Sequence, residues 1–151
     1  MRRALGLALV AMMLVVGCAD DSQAVALTME ARVEDRSIVV EGTTDLPDGA
    51  LIAYEVTHDD FATSDATMDL FADGTVPVDG GSYSVTTPVP DWPPGDVTVW
   101  VAFQTLLASD QPADVVERYG VMGEHLSGSN ITESGGLKRV ELERTISLTD
   151  E

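Results

Sequence analysis

The densest group of residues able to do chemistry is His58-Asp59-Asp60 with Asp65 close behind, an imidazole and three carboxylates in one short stretch. Carboxylate oxygens are the donors a hard cation takes, and an imidazole nitrogen widens the choice of metal. These four residues are the candidate metal ligands, for a shallow, low-affinity calcium site; the alternative is a set of acidic turns in water. The second histidine, His125, precedes Gly128-Ser129 by three residues. A serine nucleophile needs a base at hydrogen-bond distance and a third group to orient that base. Serine and histidine so close in one loop seldom meet that geometry, so a solvated loop histidine is expected. The chain contains no G-x-S-x-G, H-E-x-x-H, phosphate-loop or dinucleotide fingerprint. With 26 acidic residues, some pair falls at glycosidase separation by chance, and their number argues for nothing. No catalytic residue and no cofactor beyond that calcium are expected.

Asp69, Asp73 and Gly74 take positions one, five and six of a calcium-binding EF-hand loop. Position three is then Phe71 and position twelve Gly80, where that loop needs an oxygen ligand and a bidentate glutamate, so the motif fails. Asn130-Ile131-Thr132 is an N-glycosylation sequon in a polar stretch, which makes Asn130 a candidate acceptor wherever such asparagines are modified.

The only cysteine is Cys18, and it ends the segment MRRALGLALVAMMLVVGC. Arg2 and Arg3 open that segment and an uncharged run from Ala4 to Gly17 follows, the anatomy of a secretory signal. As a helix the run would rise about 21 Å, short of the roughly 30 Å hydrocarbon core of a bilayer. Cleavage before Cys18 is the expectation. Val15-Val16-Gly17-Cys18 resembles the lipobox of bacterial lipoproteins, in which the cysteine sulfur receives a diacylglycerol. That resemblance implies a signal peptide at 1–17, a lipidated Cys18 with its tether at 18–24, and an address on the outer side of a membrane in the cell envelope. Two or three acyl chains anchor stably where one holds only marginally, at about 0.8 kcal/mol per buried methylene. The export route stays open.

Removing residues 1–17 takes two of the eight basic residues and none of the 26 acidic ones, leaving six against 26 and a net charge of −20. Such a field repels nucleic acid and anionic headgroups and favours cations or a basic partner. Nucleic acid is excluded as a partner class. Lys138 is the one lysine beside seven arginines, and the acid-rich, lysine-poor surface resembles those of proteins from salt-loving organisms, where counterions screen self-repulsion.

Residues 25–151 are expected to form a single domain. Alternation of apolar and polar residues marks a strand at 25–33, with Val25, Leu27, Met29, Ala31 and Val33 on one side. A turn at Glu34-Asp35-Arg36 leads to a second strand at 37–42. Pro47-Asp48-Gly49 opens a strand at 50–57, and 58–65 reads as an irregular polar loop. A shorter strand is expected near 66–71, with turns at Asp73-Gly74 and Asp79-Gly80-Gly81 and strands at 75–78 and 82–87. Four prolines between Pro88 and Pro94 make a rigid corner before the most apolar strand, 97–104. There Val97, Val99, Val101 and Phe103 share the core face, and Trp100 falls on the other, covered in part by a neighbouring segment. A short helix is expected at 111–119, with Pro112 in its first turn and Gly120 as its stop. A long glycine- and serine-rich loop follows, then a strand at 137–148 in which Arg144 lands on the apolar side, the mark of a bulge or an exposed strand end.

About seven short strands and one short helix predict an all-β fold, an antiparallel β-sandwich. Gly42-Thr-Thr-Asp-Leu-Pro-Asp-Gly49 and Pro93-Pro-Gly-Asp-Val-Thr-Val99 resemble the corners of immunoglobulin-like or transthyretin-like modules of bacterial envelope proteins. Taken with the lipobox, the resemblance implies a lipid-anchored extracytoplasmic protein with a non-catalytic binding or scaffolding role and a protein partner. The working surface would then be the loops at 58–65 and 120–136. A secreted enzyme or enzyme accessory using loop carboxylates, or an acidic cation- or carbohydrate-binding module, stays open as an alternative.

Overall fold

A computed structural model describes residues 22–63, 69–106 and 110–149. Its elements in chain order are β1 (Gln23–Ala24), β2 (Glu30–Glu34), β3 (Ser37–Thr43), β4 (Leu51–His58), a 3₁₀ turn (Asp59–Ala62), β5 (Phe71–Pro77), β6 (Ser82–Pro88), β7 (Gly95–Phe103), α1 (Ala113–Tyr119), β8 (Leu126–Ser127), β9 (Ile131–Ser134) and β10 (Leu137–Leu148). The fold is an all-β sandwich. One layer has the order β2-β3-β6 and the other β5-β4-β7-β10-β9, with every neighbour antiparallel, while β1 and β8 form a separate parallel pair. The chain changes sheet between β3 and β4, between β5 and β6, and between β6 and β7, so neither sheet forms from consecutive strands alone.

The core lies between the sheets and follows the period of two. Val97, Val99, Val101 and Phe103 of β7 are fully buried, as are Ile52 and Val56 of β4 beside them. Ile38 and Val40 of β3, with Tyr83 of β6, close the core from the three-stranded sheet. Each large apolar side chain removed from water contributes about 1.5–3 kcal/mol, so these few strands supply most of the drive to fold. The helix α1 ends at Gly120 as expected and buries Val115 and Tyr119 against the same core, with the Tyr119 ring edge-on to Phe103.

Five local expectations change. The stretch 25–29 alternates in burial but is not part of a long strand: Ala26 N–H bonds to the Asp45 carboxylate and Thr28 N–H to the Thr43 carbonyl, so regular pairing begins at Glu30. Asp73-Gly74 is not a turn but the middle of β5, because a Cβ at Gly74 would lie 2.8 Å from the Tyr54 hydroxyl. Glycine there leaves room for a cross-strand tyrosine ring. The expected strand at 66–71 falls partly outside the described residues, and Asp69 and Leu70 are not in a strand. The loop after the helix contains β8 and β9, and β9 joins β10 through Gly135-Gly136, both at positive φ, the two-residue hairpin connection that such dipeptides favour. Along β10 the pairing with β7 runs unbroken from Val140 to Leu148, so Arg144 is exposed without a bulge.

Candidate functional site

His58 is not in an irregular loop. It is the last residue of β4, and its side chain is fully buried. The reason is the strand's own alternation, which sends Ile52, Tyr54, Val56 and His58 to the inner side. Nε2–H donates to the Pro93 carbonyl at 3.0 Å, and Nδ1 accepts the Asp60 N–H at 3.1 Å, capping the 3₁₀ turn. Because the Pro93 carbonyl can only accept, Nε2 carries a proton. The Trp92 ring packs edge-on at 5.9 Å. Asp59 Oδ1 reaches 2.9 Å from Nδ1 and Asp60 Oδ2 3.9 Å, and Gly95 leaves the space for this, since a Cβ there would sit 2.7 Å from the carboxylate.

His58, Asp59 and Asp60 therefore bring one donor atom each within 4.8 Å of one another. The imidazole gives such a group little. Its Nε2 carries the proton given to Pro93, and its Nδ1 is already taken up by the Asp60 amide and the Asp59 carboxylate, leaving only exposed carboxylate oxygens open to an ion. Asp65, the fourth candidate ligand, and Cys18, the candidate lipidation site, lie outside the described residues. His125 is half-buried, and its Nδ1–H donates to the Arg118 carbonyl at 3.1 Å. Asn130 is exposed at positive φ just before β9.

The outer face of the five-stranded sheet carries a second constellation. Trp100 lies directly opposite Glu55 on β4 and Glu143 on β10, and Glu55 lies directly opposite Asp73 on β5. With strands about 4.8 Å apart, Asp73, Glu55, Trp100 and Glu143 form one row about 14 Å long across the sheet. All three carboxylates are exposed, and among the described residues none has an ion-pair partner. Like charges directly opposite each other destabilise a sheet, so the Glu55–Asp73 pair is held at a cost.

Trp100 is fixed in place beside this row. Its Nε1–H donates to Glu141 at 2.9 Å, the same carboxylate takes the Arg139 Nε–H, and the Arg139 guanidinium lies 5.5 Å from the indole centroid. Partial burial pushes the Glu141 carboxyl up, but the hydrogen bonds from Thr132, Trp100 and Arg139 outweigh it and hold the group below the usual range. A rigid aromatic ring among unneutralised acids is a platform for cationic groups. Sequence reading placed Trp100 on the outer face but could not align it with Glu55, Asp73 and Glu143, since that needs the register of four strands. Comparison with protein families, with curated proteins and with solved structures finds no match to this chain.

Proposed function

We propose that the chain is a lipid-anchored, extracytoplasmic β-sandwich of the cell envelope that binds a basic protein partner through the outer face of its five-stranded sheet, without catalysis. The observation that carries this reading is the row Asp73, Glu55, Trp100, Glu143, an acidic sheet face with a hydrogen-bonded aromatic ring inside it. A net charge of −18 over the whole chain adds long-range attraction for a basic surface.

The start of the domain suits an anchor. Gln23 N–H bonds to the His125 carbonyl and Ala26 N–H to Asp45, so the folded body is fastened five residues after Cys18. That tether spans at most about 18 Å. The test is crosslinking and capture from intact cells, comparing the parent with Glu55→Lys/Glu143→Lys and with Cys18→Ser. The expected outcome is a basic partner recovered by the parent and lost with the lysine pair, and release of the Cys18→Ser protein from the membrane fraction. Equal recovery by the lysine pair would refute the sheet-face reading, and membrane retention of Cys18→Ser would refute the lipid.

A further inference from the structure

Arg144 breaks a pattern that the rest of β10 obeys. It stands at an inward position between Leu142 and Ile146, both packed on the core, and the strand passes it with no bulge to turn it outward. Of the five described arginines, Arg32 is paired with Glu34 and Glu41, Arg36 with the Pro90 and Trp92 carbonyls, Arg118 with Gln23, and Arg139 with Glu141. Among the described residues the Arg144 side chain has no such partner, in a chain whose acids outnumber its basic residues by 18.

Arg144 lines a hollow of about 530 Å³ with Glu30, Glu41, Thr28, Thr43 and Met29, where the edge of β2 meets β10. Glu41 is already held by Arg32 at 2.7 Å, whereas the Glu30 side chain has no partner among the described residues. One uncommitted cation and one uncommitted anion thus share a concavity within the size range of small-molecule sites. A simple anion entering it would meet Glu30 and the field of the whole protein, and a simple cation would meet Arg144. A ligand carrying both charges meets neither penalty.

We propose that this hollow is a binding site for a small zwitterion of the α-amino acid class, with its carboxylate on the Arg144 guanidinium, its ammonium on Glu30 and its side chain against Met29. Guanidinium takes a carboxylate through two parallel N–H donors, which fixes orientation as well as charge. The site is independent of the sheet face that carries Trp100.

Titration of the purified intact protein with L-leucine, read by amide NMR shifts of Thr28, Thr43 and Arg144, tests it. A saturable shift is expected below about 10 mM, with at least tenfold weaker binding of leucinamide, which lacks the carboxylate, and of N-acetyl-leucine, which lacks the ammonium. Arg144→Leu restores the apolar alternation, so it should abolish binding while the thermal midpoint holds or rises. The proposal is overturned if Arg144→Leu binds as the parent does, if both derivatives bind as well as leucine, or if leucine gives no saturable shift.

Discussion

Gly42 and Tyr83 face each other across β3 and β6 so closely that a Cβ on Gly42 would lie 2.5 Å from the tyrosine ring and collide with the Thr28 carbonyl. The Tyr83 hydroxyl donates to that same carbonyl at 2.6 Å, so tyrosine, glycine and the segment leading into β2 form one locked unit. Backbone cannot move aside as a flexible side chain would. Gly42→Ala should therefore cost more than the 1–3 kcal/mol usual for overpacking, measured as a loss of unfolding free energy in urea.

Burial of Tyr83 raises its phenol from the ordinary 10.0 to about 12. The folded state thus favours the neutral form. Its contribution to stability is fully present below pH 10 and disappears as pH rises from 10 to about 12. Thermal midpoints should fall across that window. Tyr83→Phe, which cannot ionise, should flatten part of the fall, the remainder belonging to Tyr119, whose phenol is also pushed up by burial. An unchanged slope in Tyr83→Phe would refute the assignment.

His58→Phe keeps an aromatic ring against Trp92 but leaves the Pro93 carbonyl without its donor and the Asp60 amide without its acceptor. An unpaired buried polar group costs about 1–3 kcal/mol, so denaturant unfolding should register a loss of that order. Calcium at millimolar concentration should leave the midpoint of the parent unchanged, because the imidazole that would complete the trio is already engaged. A rise in midpoint that Asp59→Asn removes would show that a cation does bind there.

The hairpin between β2 and β3 turns on Asp35 and Arg36, at φ of 45° and 57°. Two successive left-handed residues are what this connection requires, and glycine or asparagine would adopt them with less strain. Arg36 repays its strain by bonding the Pro90 and Trp92 carbonyls; Asp35 has no side-chain hydrogen bond or ion pair among the described residues. Asp35→Gly should raise stability by up to about 1 kcal/mol, and Arg36→Gly should lower it, in the same urea titration.

Period-two reading recovered the strands that bury one face, because alternation is a statement about water and the core, and β7 shows it from Val97 to Val101 before Ala102 and Phe103 are both buried. It could not say where backbone bonds go, which is why 25–29 looked like a strand and is not one. Local turn signals misled at Asp73-Gly74, since the reason for that glycine is Tyr54 on another strand. His58 was legible as a residue of interest but not as a buried cap, because its partners are Asp60 and the distant Pro93. The Trp100 row and the Arg144 hollow were beyond sequence for one shared reason: each depends on which strands lie side by side.

The Glu55–Asp73 pair brings stability and function into opposition. Two exposed like charges face each other across β4 and β5 with no basic residue paired to either among the described residues. Replacing Asp73 with Thr removes the repulsion and inserts a residue that suits a strand, so stability should rise by about 0.2–1 kcal/mol. The gain should be largest at low ionic strength and shrink in molar salt, where the screening length falls to about 3 Å. Over the same range the parent's thermal midpoint should climb, as expected for a chain of net charge −18. If the sheet face binds a basic partner, Asp73→Thr should also weaken that binding while it stabilises the fold. A variant that gains stability and binds as well as the parent would place the partner elsewhere.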